Sequence, residues 1–84
     1  MSIIRMSAVQ TETGLKGNTS VYEQVRRGLL TEPVSIGQRS VGWPLHEVKA
    51  VVAARIAGKT EEEIRALVQR LHAKRIEVAD EVLQ

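Results

Sequence analysis

Residues 33–43 read Pro33-Val34-Ser35-Ile36-Gly37-Gln38-Arg39-Ser40-Val41-Gly42-Trp43. Apolar and polar side chains alternate on both sides of Gly37-Gln38, which puts Val34 and Ile36 on one face and Val41 and Trp43 on another. A period of two broken by a glycine-containing turn predicts a small β-hairpin, and Pro33 is tolerated because it opens the first strand. It is the only strand signal in the chain. What flanks it decides the fold.

Upstream, Ser7 is placed to cap a helix over Ala8–Thr13 that Gly14 stops, with Val9 facing inward and Leu15 closing the turn. A second helix is expected from about Thr19 to Arg27, with Val21, Tyr22 and Val25 on its apolar side and Gly28 as its stop. Gly14-Leu15-Lys16-Gly17 leaves room only for a tight turn between them. Two short helices around a glycine-containing turn make a helix-turn-helix candidate.

Downstream, Pro44 suits the first turn of a third helix, in which Leu45, Val48, Val52 and Ile56 recur at helical spacing beside Val51, and Gly58 ends it. Thr60-Glu61-Glu62-Glu63 is a capping box, with three acids at the positive end of a fourth helix. The stripe Ile64, Leu67, Val68 and Leu71 is clean for two turns. Lys74 and Arg75 interrupt it, and Ile76, Val78, Ala79, Val82 and Leu83 form a broader, poorly directed set.

The fold expected is therefore mainly α with a small β-hairpin: a winged helix-turn-helix followed by a long C-terminal helix. Residues 1–58 form the winged unit, and residues 59–84 a helical extension that packs on it or joins copies together. With 84 residues there is one small core and little chain left for a pocket. No cysteine is present, which removes disulfides, thiolate metal sites and a thiol nucleophile. The serines lack a His–acid arrangement, and no glycine-rich phosphate loop occurs, so an enzyme is not expected. No cofactor is expected. His46 and His72 stand far apart without thiols, so neither is a metal site.

Charge is uneven. Residues 1–59 carry eight basic and four acidic side chains, and residues 60–84 carry four basic and six acidic. A basic front with an acidic tail suits a polyanion, and suits equally well two solvated surfaces. Aromatic residues are only 2%, too few for a stacking platform for single strands, which favours duplex DNA. No apolar run reaches the ~20 residues that cross a bilayer, and the start lacks a signal-peptide core, so a cytoplasmic, nucleoid-associated protein is expected.

The combination of Ile4-Arg5-Met6, Val9, Thr13-Gly14-Leu15, Val21-Tyr22, Gly28, Pro33–Trp43, Glu47-Val48 and Ala53-Ala54-Arg55 resembles the AlpA family. These are small prophage-associated DNA-binding regulators, similar in fold to MerR-type winged helices and phage excisionases. The resemblance spans roughly residues 3–57. It implies sequence-specific binding of double-stranded DNA by a transcriptional regulator of prophage or integrated-element genes. One departure is the run Lys16–Ser20, five residues where the family pattern has four before its aliphatic-Tyr pair. The other is the tail from Thr60 onward, which lies beyond the family core.

In such a protein the second helix presents its N-terminal residues to base edges. Asn18, Thr19, Ser20 and Glu23 occupy that region, although Asn18 or Thr19 equally well caps the helix. Lys16, Arg26 and Arg27 are placed to neutralise phosphates, and Tyr22 to pack its ring while offering its hydroxyl. Gln38 and Arg39 project at the hairpin tip, where arginine enters a minor groove or meets a phosphate. Trp43 reads as the anchor between hairpin and third helix. A homo-oligomer on DNA is expected, with Ile64, Leu67, Leu71 and Val78 either at its interface or completing the monomer core. Two other roles stay open. One is an excisionase-like factor that directs an integrase rather than the transcription machinery; the other is a protein-interaction adaptor using the last helix.

Overall fold

The computed structural model describes residues 2–83. In chain order it contains β1 (Ile3–Ile4), α1 (Met6–Thr13), α2 (Asn18–Arg26), β2 (Val34–Gly37), β3 (Ser40–Pro44), α3 (Leu45–Ile56) and α4 (Glu61–Leu83). The protein is mainly helical with a small antiparallel sheet and a long C-terminal helix, an order compatible with a winged helix-like fold.

The expected hairpin is β2–β3, with Val34 opposite Gly42, Ser35 opposite Val41, and an irregularity before Gly37 pairs with Ser40. The sheet has a third strand that the alternation pattern did not reveal. Ile3 and Ile4 pair antiparallel with Pro44 and Trp43, giving the order β1-β3-β2. Gly42 is what lets β1 come so close: a Cβ there would meet Ile3 Cγ2 at 2.5 Å and the Ile4 carbonyl oxygen at 2.9 Å.

Gly14 and Gly17 both adopt left-handed backbone (φ +76° and +81°), so the turn between α1 and α2 is bracketed by two residues that lack a β-carbon penalty. α1 starts at Met6 with Arg5 before it and no side-chain cap, so Ser7 lies inside the helix rather than ahead of it. α2 starts at Asn18 after Gly17, again without a side-chain cap, so neither Asn18 nor Thr19 caps it.

Val9, Val21, Trp43, Val48 and Val51 meet in the core, joined by Leu29 and Leu30 from the irregular segment after α2. Trp43 is fully buried, and its indole N–H donates to the Thr31 carbonyl oxygen at 2.7 Å. This bond ties that segment to β3. Ile56, expected on the inward stripe of α3, is 82% exposed because it is the last residue of that helix and stands beyond the core.

The capping box is formed as the sequence suggests. The Glu63 N–H donates to Thr60 Oγ1 at 3.1 Å, and the Thr60 N–H donates to Glu63 Oε1 at 3.0 Å. Ile64 and Val68 of α4 enter the core, and Leu67 and Leu71 pack against it. Polar contacts extend this packing. Arg65 Nε donates to the Arg27 carbonyl at 2.8 Å, His72 Nε2 accepts the Glu32 N–H at 3.0 Å, and Arg75 reaches Glu47 and the Glu32 carbonyl. Arg75 thus lies on the inward stripe that it seemed to interrupt.

Candidate nucleic-acid interface

With α2 starting at Asn18, its first turn consists of Asn18, Thr19 and Ser20, all exposed. It carries no acidic residue and no side-chain cap, which leaves the positive end of the helix dipole without a compensating charge. Asn18 is held from outside its own helix: Gln10 Nε2 of α1 donates to Asn18 Oδ1 at 2.9 Å. Nothing in the sequence flags that contact, because the two residues sit on different helices across the turn.

Tyr22 is 43% exposed, and its ring stands 6.0 Å from that of Trp43 at an interplanar angle of 51°. Trp43 in turn belongs to β3. One buried indole therefore sets α2 against the base of the wing. The wing tip consists of Gly37, Gln38 and Arg39, all exposed. Arg39 has φ +59°, a left-handed conformation that costs a residue with a β-carbon roughly 1 kcal/mol or more. The turn holds this long cationic side chain at the outermost point of the hairpin.

The four cations named from the sequence are not equivalent. Arg26 Nε donates to Glu23 Oε2 at 3.2 Å within α2. That hydrogen bond, followed by the charges of Arg26 and Arg27, holds the Glu23 carboxyl below the usual carboxylate range, and the same bond raises Arg26. Arg27 donates from Nη2 to both oxygens of Glu61, at 3.1 and 3.0 Å, so it is drawn toward α4. Lys16 and Arg39 form no ion pair among the described residues. Lys16 lies in the turn ahead of α2 and Arg39 at the wing tip, so of these four cations the two outside any ion pair stand on the turn and on the wing.

Of the residues expected between copies, Ile64 is 3% exposed inside the monomer core, while Leu67, Leu71 and Val78 are half-buried. No helix of the described residues is long and apolar enough to cross a membrane. The described residues contain no group of three His, Asp or Glu side chains able to hold a metal ion.

Two short helices, an intervening glycine turn and a tryptophan-anchored wing together occupy residues 3–44, followed by α3 to Ile56. A family model described as prophage CP4-57 regulatory protein (AlpA) matches residues 2–56, from the start of this unit to the last residue of α3. The chain belongs to the AlpA family. It is thus a member of a family of prophage regulatory proteins. The chain is also similar to the uncharacterized protein ORF88 of Enterobacteria phage P4, 39% identical over 56 residues. Those residues are 67% of this chain and 62% of ORF88, so this chain spans less than two thirds of that relative's length. No solved structure matches. The AlpA match ends before α4, so the helix that contributes Ile64 and Val68 to the core lies outside the matched residues.

Proposed function

We propose that this AlpA-family protein binds double-stranded DNA in a sequence-specific way and regulates transcription of prophage or integrated-element genes. The observation that carries the reading is the Tyr22–Trp43–Thr31 linkage, which fixes an uncapped helix start and an arginine-tipped hairpin on one small core. Asn18, Thr19 and Ser20 then read base edges in the major groove, where asparagine pairs with adenine and the hydroxyls reach bases or phosphates. Arg39 grips the backbone or minor groove beside it, and Lys16 neutralises a phosphate at the helix start. Glu23 accepts from cytosine when its carboxylate is released by Arg26.

A binding selection from random duplexes with the full chain tests this. Enrichment of one defined motif, protected in a footprint over one to two helical turns, is the expected result. Failure of any motif to enrich rules out specific recognition by this chain alone.

A further inference from the structure

Five of the six seam residues of α4 are apolar, and the seam follows a coiled-coil spacing. Ile64, Val68, Leu71, Arg75, Val78 and Val82 are separated by four, three, four, three and four residues. The body of the protein covers only the first part of that line. Ile64 and Val68 are buried in the core and Arg75 is held by Glu47, whereas Val82 is 79% exposed and its neighbour Leu83 is 83% exposed. Where the line leaves the body, it forms one wall of a groove of about 420 Å³, with Pro44 and His46 at the other wall.

The charges beside this uncovered stretch are self-complementary. Lys74 and Glu81 lie seven residues apart on the same flank of the seam, one basic and one acidic. In an antiparallel pairing of two such helices, with Val78 of each copy against the Arg75 stem of the other, Lys74 of one meets Glu81 of the other, and the contact occurs twice by symmetry. A parallel pairing brings neither pair together. Lys74 is already paired with Glu77 within its helix at 3.3 Å, but both side chains are 64% exposed, and such a pair holds a lysine only weakly.

We propose that the groove is an interface between two copies of this chain, filled by the Val78–Leu83 segment of the second copy packed antiparallel. The occupant is a second copy because the flanking charges match their own two-fold image. The proposal relies on nothing at the wing or at α2, and its test contains no DNA, so it stands or falls separately from the DNA-binding reading.

Sedimentation equilibrium of the full chain, at concentrations up to the order of 100 µM, where small interfaces associate, reads the outcome. The expected mass approaches twice the 9.3 kDa of one chain. Val82→Lys, at a position too exposed to unfold the monomer, returns the mass to that of one chain with unchanged helicity by circular dichroism. Lys74→Glu and Glu81→Lys each weaken association at least several-fold, and the double swap restores it. The proposal is overturned if the wild-type chain stays at one mass throughout, if Val82→Lys still pairs, or if the double swap associates no better than either single change.

Discussion

Arg75 of α4 grips Glu47 of α3 with two N–H groups, Nε donating to Oε2 at 2.7 Å and Nη2 to Oε1, while the Glu47 side chain is fully buried. Nη2 also donates to the Glu32 carbonyl at 2.8 Å, so one guanidinium joins α4, α3 and the segment that leads into the wing. The Arg75 side chain keeps 26% of its surface in water, which lowers the desolvation cost that such pairs carry.

Truncating Arg75 leaves a carboxylate buried without its partner, a change that costs about 3 kcal/mol or more. For a domain this small that is a large fraction of the whole margin. Urea unfolding should therefore show Arg75→Met to be severely destabilised, Glu47→Gln less so, and the two together to recover part of the loss because the buried charge is gone. Simple addition of the two single effects in the double variant would show that the pair is not coupled.

Gly42 predicts a second effect. Because a β-carbon there would strike Ile3 and the Ile4 carbonyl, Gly42→Ala must push β1 away from β3, at a cost of about 1–3 kcal/mol. The fluorescence of Trp43, the chain's single tryptophan and the partner of Ile4 across the two strands, reports the change directly. An unchanged unfolding midpoint would mean that β1 contributes nothing to the fold.

The Glu63 carboxyl is held below its usual value of 4.5, first by the Thr60 N–H and then by the Thr60 hydroxyl. A depressed folded value means that this stabilisation is present above about pH 4.5 and is lost as pH falls through the lower folded value. Glu63→Gln should accordingly lose less stability than the wild type between about pH 6 and about pH 3. Thr60→Ala removes the reciprocal bond at any pH, for about 1 kcal/mol. Parallel pH profiles for wild type and Glu63→Gln would contradict the capping account.

On α2 the pairing of Glu23 with Arg26 cancels one cation near the expected DNA surface. Glu23→Gln frees it, so affinity for non-specific DNA should rise and the salt dependence should steepen by about one phosphate equivalent. Anisotropy titrations on an unrelated duplex measure this. Unchanged non-specific affinity and salt slope would place Glu23 and Arg26 away from the DNA.

Sequence order made the helices and the hairpin legible because their signals are local: glycines bracketing a turn, a period of two around Gly37-Gln38, a capping box at Thr60–Glu63. Three features escaped for physical reasons. A two-residue strand, Ile3–Ile4, is too short to show a period. Leu29, Leu30 and Thr31 form part of the core from an irregular segment, where no periodicity exists to mark them. Arg75 reads as a surface charge until its spacing from Leu71 and Val78 shows that it faces inward, toward a lone acid at the start of α3. Within the candidate site, the exposed residues of α2 and the wing follow from element boundaries alone. The capture of Arg27 by Glu61, 34 residues away, does not.

The wing is where the account is most exposed to test. On a duplex enriched by selection, binding measured by anisotropy against salt should give a slope of log K on log salt equivalent to roughly three to six phosphates. Arg39→Gly removes the charge and suits the left-handed turn, so it should lower the slope by about one phosphate without affecting folding. Arg39→Lys should retain it. If Arg39→Gly binds with unchanged affinity and slope, the wing does not touch DNA and the proposed docking is wrong.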